Sequence, residues 1–289
     1  MRHEILACQG WLTILPLSSR ARAPRSCPTA RYNGRNVPTH YIRYQTGSAV
    51  CYGILEGDTV RELGGRPFDA PAKTGVTHAL SGVRLLRPCE PGKILAVGRN
   101  YKSHLHGRPQ PEQPEMFWKP ISALQDPEGD IVIPPGAANV HFEGELAIVM
   151  GRRARSVSPE EARAAIFGVT CGNDVSERDW QSGPHKDLQW WRAKGADTFA
   201  PLGPAIVTGL DDSNLRLVTR LNGEVVQEES TSDLIFDCPT IVSFVSRWVT
   251  LEPADVIYTG TPGSTRALHP GDFVEVEIEG AGVLRNRVR

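Results

Sequence analysis

Two glutamates two residues apart, Glu143 and Glu145, lie in Val140-His141-Phe142-Glu143-Gly144-Glu145-Leu146-Ala147-Ile148-Val149-Met150, which reads as one strand. Strand side chains alternate faces, so the two carboxyl groups share a face and start about 6.6 Å apart. Each raises the pKa of the other unless a cation lies between them. Phe142, Leu146, Ile148 and Met150 take the opposite face, and the acidic face itself turns apolar at Ala147 and Val149. A strand apolar on both sides belongs in a core, where paired carboxylates suit a hard divalent cation bound through oxygen. An exposed edge strand with two solvated glutamates fits the same letters, and this stretch alone does not choose.

The elements that must position these groups are mostly strands. From Thr39 the chain shows short apolar runs, Tyr41 to Tyr44 and Val50 to Leu55, split by a Gly-Ser turn, which reads as a small β-hairpin module. Pro88 and Pro91-Gly92 separate it from the buried-type strand Lys93 to Gly98, and the domain boundary is placed there. Ser158-Pro159-Glu160-Glu161 supplies an N-cap, a first-turn proline and a capping-box glutamate for a short helix ending near Gly168, with a strand from Phe167 to Cys171. Asn222-Gly223 joins two strands as a hairpin turn. Ile241, Phe244, Val245 and Trp248 follow Pro239 at helical spacing, and Phe273 to Glu279 alternates as a half-buried strand. The pattern predicts an α+β chain built mainly on antiparallel or mixed sheet.

Composition narrows the chemistry. With 32 basic and 33 acidic residues in 289, the chain offers no net field for nucleic acid or an anionic membrane, and a small polar or acidic metabolite is the more natural partner. No run approaches the roughly twenty apolar residues of a membrane span. The six cysteines show no metal spacing and read as reduced thiols of a cytoplasmic protein. Residues 1–38 are Arg-rich, with Glu4 the single acid. They read as a disordered or non-native leader, with an organellar presequence as the alternative.

A third carboxylate, Asp174, sits in Asn173-Asp174-Val175-Ser176-Glu177-Arg178-Asp179-Trp180-Gln181, about thirty residues beyond the acidic strand. Together with Gly98-Arg99-Asn100-Tyr101-Lys102-Ser103-His104, Phe117-Trp118-Lys119-Pro120, Ala193-Lys194-Gly195 and Thr259-Gly260-Thr261-Pro262, this resembles the fumarylacetoacetate hydrolase family, and most of all its acylpyruvase-like members. The resemblance runs from about Lys93 to the C-terminus. It implies a mixed β-sandwich roll with a small β-rich N-terminal module over 39–90, a catalytic domain over 91–289, and a homodimer. It further implies Mg²⁺ or Mn²⁺ on Glu143, Glu145 and Asp174, His104 as general base and Lys194 as the cation facing an enolate. Substrate contacts fall to Arg178, Gln181, Thr261 and Tyr101. Arg178 has an alternative as a structural partner of Glu177 or Asp179, Thr261 as a turn former, and His141 as either a group supporting the ligands or a simply buried ring. Trp180, Trp190 and Trp191 line a pocket or belong to core or interface.

One departure from the family pattern matters. The histidine is followed three residues later by Gly107, where many members carry a glutamate that completes a water-activating dyad, and the lid helix is expected to end early. Glu112 and Glu115 are candidate replacements. The expected activity is metal-dependent hydrolysis of a carbon–carbon bond in an acylpyruvate or related 2-oxo or 1,3-dicarbonyl acid. If no acid replaces the glutamate, tautomerase, isomerase or decarboxylase chemistry is expected instead. A metal-binding protein without catalysis is the remaining alternative.

Overall fold

The computed structural model describes residues 37–289. The leader expected up to Pro38 therefore lies, except for its last two residues, outside the described part. Two main sheets and a short ribbon carry the fold. The larger sheet has 12 strands; ten form a path, Lys73–Ala79, Thr59–Leu63, Ala49–Glu56, Thr39–Thr46, Ala200–Thr208, Ile166–Asn173, Gly144–Met150, Val256–Tyr258, Ile94–Gly98, Glu115–Lys119, and Arg84–Leu86 and Leu124–Gln125 pair off it with Thr39–Thr46 and Ala200–Thr208. The hairpin strands at the N-terminus extend this sheet, because Thr39–Thr46 pairs with Ala200–Thr208. The second sheet runs Glu224–Ser230, Arg216–Leu221, Phe273–Ile278, Gly282–Val288, Asp130–Ile131. The last of the long strands, Gly282–Val288, is one that the sequence pattern did not reveal. Few helices interrupt the strands, so the chain is α+β and mostly sheet.

Local chemistry explains the turns. Asn222 and Gly223 both take positive φ, 54° and 84°, as the tight turn between Arg216–Leu221 and Glu224–Ser230 requires. Ser158 accepts from the Glu161 amide while the Glu161 side chain accepts from the Ser158 amide, so the expected capping box starts the helix Pro159–Ala165.

The acidic strand is not continuous. Val140–His141 pairs with Ser176–Glu177 in the separate two-stranded ribbon, whereas Gly144–Met150 pairs with Ile166–Asn173. Phe142 and Glu143 form the break between them. There the Glu143 amide donates to Asn173 Oδ1 at 2.9 Å, and the Glu143 carbonyl accepts from the Asp174 amide at 2.8 Å. A side-chain bond thus replaces a ladder bond, and the chain changes sheets between the two carboxylates.

The rest of that strand behaves as its letters require. Leu146, Ile148 and Met150 enter one core with Val169, Leu217, Ile241 and Val276, and Ala147 and Val149 enter another with Ile94, Phe117 and Tyr258. Phe142 leaves that face and packs in a third cluster with Val175, Phe199 and Leu268.

Gly172 sits one strand away, where a Cβ would lie 2.4 Å from the Tyr258 ring. Tyr258 has little room to yield, being fully buried with its hydroxyl donating to the Pro201 carbonyl at 2.9 Å. Gly172→Ala is expected to overpack this layer and cost about 1–3 kcal/mol in urea unfolding. Wild-type stability in that variant would show that the layer relaxes freely.

Candidate active site and metal centre

Four segments deliver the charged groups to one place. The break before Gly144–Met150 brings Glu143, the strand itself Glu145, and the end of Ile166–Asn173 brings Asp174. Lys119 ends the strand Glu115–Lys119, and Lys194 comes from the turn before Ala200–Thr208. The three carboxylates are buried, and one oxygen from each lies within 4.8 Å of the others. Opposite ligands of an octahedral Mg²⁺ stand about 4.2 Å apart, so modest rotation of these side chains would close the set around one ion.

The cations are unequally shared. Lys194 Nζ donates to Glu143 Oε2 at 2.7 Å and to Asp174 Oδ2 at 2.6 Å. Lys119 Nζ donates to Asp174 Oδ1 at 2.5 Å and also to the Lys194 carbonyl. Arg178 Nη1 pairs with Glu143 Oε1 at 2.5 Å. Glu145 has no ion pair among the described residues and accepts only the Gly260 amide, at 2.7 Å.

Burial opposes charge on Glu143, but Lys194 and Arg178 overcome it and hold the carboxyl below the usual range. Burial and the neighbouring Asp174 and Glu143 push Glu145 well above that range. A buried carboxylate with no cation of its own is a group that a metal ion can stabilise. The donor set, all oxygen, fits Mg²⁺ or Mn²⁺. Burial alone would lower the Lys194 pKa, yet Asp174 and Glu143 raise it. Burial, with the facing Lys194 charge, lowers the Lys119 pKa against the pull of Asp174.

A cavity of about 620 Å³ opens onto this cluster, lined by Glu143, Arg178, Gln181, Lys194, Thr261 and His104 among others. His104 ends the short 3-10 turn Lys102–His104, which Asp233 pins by accepting the Ser103 amide at 2.9 Å. Its Nδ1 faces the Gly263 carbonyl at 2.5 Å. A carbonyl can only accept, so Nδ1 carries the proton and Nε2 is the free lone pair. Burial lowers the His104 pKa, which favours that neutral form.

Several sequence expectations change here. Tyr101 is fully buried, does not line the cavity, and leaves its hydroxyl without a partner; it bridges to Leu234 instead, which leaves it out of direct substrate contact. Arg178 pairs with neither Glu177 nor Asp179. It binds Glu143, Gln181 Oε1 at 2.7 Å and Thr265 Oγ1 at 2.8 Å, because Glu177 is already committed to the amides of Trp180 and Asn139. The Thr261 hydroxyl donates to the Gly144 carbonyl and accepts from Gln227, both at 2.9 Å, which leaves it one lone pair. His141 accepts from Thr265 and donates to Asn139, and burial with the Arg178 charge lowers its pKa to about 4. Of the three tryptophans, only Trp190 lines this cavity; Trp180 and Trp191 line a neighbouring groove.

Neither acid on the loop restores the lid dyad. Glu112 is exposed and outside the cavity wall. Glu115 lines the wall but is bound by Arg99, Nε to Oε2 at 2.7 Å. Two supporting residues were given no role by the sequence. Gln227 ties the Gly144 amide to Thr261 and the Pro262 carbonyl, and Lys119 stood in a recognisable motif without an assigned role.

A family model described as fumarylacetoacetate (FAA) hydrolase, C-terminal, matches residues 93–289. The chain belongs to the fumarylacetoacetate hydrolase family. A Rv2993c-like N-terminal model matches residues 39–88. The solved 5-carboxymethyl-2-hydroxymuconate delta-isomerase of Mycobacterium smegmatis is 44% identical, with 86% of this chain and 98% of that one covered at TM-score 0.81. The mitochondrial oxaloacetate tautomerase FAHD2A of Bos taurus is 40% identical over 72% of this chain and 70% of its own. Maleylpyruvate hydrolase from Sphingobium, solved with manganese(II) and pyruvate, is 28% identical at TM-score 0.71, covering 86% of this chain and 98% of that one.

The uncompensated Glu145 makes a signed prediction. Its folded pKa lies above the ordinary 4.5, so the metal-free folded state holds a proton that the unfolded chain releases, and stability falls as pH rises past that value. Metal-free Glu145→Gln should match wild type below pH 4.5 and become progressively more stable than it above. Its Mn²⁺ affinity should fall at least about tenfold. Thermal unfolding with chelator, then calorimetry with Mn²⁺, reads both; a parallel pH dependence of the two proteins would contradict the assignment.

Proposed function

We propose that this chain is a divalent-metal-dependent tautomerase or isomerase of 2-oxo or 1,3-dicarbonyl acids, moving a proton through an enolate. The observation that carries this reading is the setting of His104: its Nδ1 is spent on the Gly263 backbone carbonyl, which leaves Nε2 as the free nitrogen, and no carboxylate is bonded to it among the described residues. Such a group exchanges a proton with substrate carbon or oxygen. It lacks the partner that would sharpen it as a base toward water. The relatives named as a tautomerase and a delta-isomerase support the same direction.

Bound on Glu143, Glu145 and Asp174, a divalent ion would supply a Lewis acid for the 2-oxo and carboxylate oxygens. Lys194, kept charged by its carboxylate neighbours, adds a fixed positive charge beside the developing enolate oxygen. Arg178 and Gln181, bonded to one another on the wall, orient the acid end. His104 Nε2 removes the proton from the carbon next to the carbonyl and returns it, or its equivalent, at the other end of the enolate.

Carbon–carbon hydrolysis is the second reading. It is favoured by Glu115, a carboxylate on the same cavity wall as His104, and by the likeness to maleylpyruvate hydrolase. Release of Glu115 from Arg99 would be needed for it to act. We also propose a homodimer as the working unit, from the family resemblance; sedimentation at twice 31.6 kDa would support it and a 31.6 kDa species would count against it.

Enol oxaloacetate and acylpyruvates, assayed with Mg²⁺ in ¹⁸O-labelled water, separate the two reactions. Enol–keto conversion without label in a new carboxylate is expected; acyl cleavage with label there would establish the hydrolase. His104→Gln should lower kcat by about 10²–10⁴-fold. It should also abolish the acid limb of the wild-type profile, whose inflection is expected below the ordinary 6.5 because burial lowers this imidazole.

A further inference from the structure

His104 has one usable nitrogen. Its Nδ1 is held by the Gly263 carbonyl, so a proton exchanged with substrate carbon enters and leaves at Nε2. The ring is half-buried, and a substrate seated in the cavity would cover it further. The acids and bases around it are committed, Glu143 to Lys194 and Arg178, Lys194 also to Asp174, and Glu115 to Arg99. Arg108 lies on the same wall, but a guanidinium does not give up its proton. His106 is the exception. Its ring is exposed and lines the cavity, and among the described residues no hydrogen bond or ion pair engages it.

The backbone places it there. Residues two apart do not face each other on a helix, so a continued helix would have turned His106 away from His104. Instead the turn Lys102–His104 stops, and the chain passes through two left-handed residues, His106 at φ 48° and Gly107 at φ 81°. Both imidazoles then line one cavity, their centroids 5.7 Å apart and their planes tilted by 57°. One water between two ring nitrogens spans about 5 Å, which suits rings at this spacing. A charge on His106 also works against a charge on His104, so the pair favours one extra proton over two. We infer that His106 is a proton relay, carrying between bulk water and His104 Nε2 the proton that His104 exchanges with substrate carbon. In ketonisation the enol hydroxyl proton leaves to water, and the enolate electron pair forms the new C–H bond with the proton on Nε2. His106 then passes a proton to Nε2 through the bridging water and takes another from bulk, so protons balance over the cycle. The inference rests on the reading of His104 as the acid–base group of a tautomerase. It adds the route by which that group is reset.

Ketonisation of enol oxaloacetate by the Mg²⁺-loaded protein, followed by ultraviolet absorbance as imidazole is added and corrected for the protein-free rate, tests the relay. His106→Asn is the informative variant, because asparagine accepts a left-handed backbone but carries no proton that it exchanges at neutral pH. Its thermal midpoint is expected to match wild type, since the ring has no partner in the fold. KM should stay within about twofold while kcat falls by about tenfold or more. Added imidazole should restore most of that loss and leave wild type unchanged, the free ring taking the place of the missing one. His106→Gln should behave in the same way, which guards against a defect peculiar to asparagine. A loss that imidazole does not restore, or one that appears in KM rather than in kcat, overturns the inference. A wild type that ketonises no faster than either variant removes the relay alone, whereas a wild type that does not ketonise removes the proposed activity and the relay with it.

Discussion

Burying three carboxylates at one point is the constraint around which the structure is arranged. Glu143, Glu145 and Asp174 lie within a few ångströms of one another and out of water, where mutual repulsion and lost hydration both oppose ionisation. Lys119, Lys194 and Arg178 answer the charge, but all on Glu143 and Asp174. The unevenness is chemically informative. A site meant only to hold the fold together would neutralise each acid, whereas this one leaves Glu145 facing its neighbours with a single amide for company. Such a cluster could hold one more hard cation.

Holding those groups in register takes connections across several segments. Asn173 bonds the Glu143 amide, and the Asp174 amide returns to the Glu143 carbonyl, so two of the acids are fixed by one exchange of hydrogen bonds. Gln227, from the other main sheet, grips Gly144, Thr261 and Pro262 together. Asn100 does the same on the far side, donating to the Phe236 and Thr259 carbonyls and accepting the Phe236 amide. The family's short motifs are thus largely struts. Of their residues, a minority face the cavity, and the others keep those few from moving.

The proposed acid–base group is built differently. His104 stands on a short turn rather than a helix, and its orientation comes from the Gly263 carbonyl. A carbonyl fixes the tautomer as a carboxylate would but contributes no negative charge to stabilise an imidazolium. As the proposed base it would be correspondingly weak, and burial lowers its pKa, a setting suited to shuttling a proton from carbon made acidic by other groups. The positive charges on the inner wall, not the histidine, bear most of the electrostatic work in such a reaction.

Much of the fold and site was legible before any coordinates. Alternation identified the apolar faces of Gly144–Met150, Ser158 and Glu161 announced their capping box, and Asn222-Gly223 announced its hairpin, because each is decided by residues within a few positions of one another. The motif order likewise named Glu143, Glu145, Asp174, His104 and Lys194, which the fold does bring around one cavity or its floor. What the letters could not decide was every relation that depends on distant chain meeting in space. The strand break at Phe142 and Glu143 follows from a bond to Asn173, thirty residues on. Tyr101 turned inward, Arg178 chose Glu143 over the acids beside it, and Glu115 was taken by Arg99, each according to which partner lay across the fold. Local pattern is set by short-range sterics and hydrogen bonding, which sequence carries directly. The pairing of buried charges is set by three-dimensional proximity in a medium of low polarity, and only the tertiary structure supplies that.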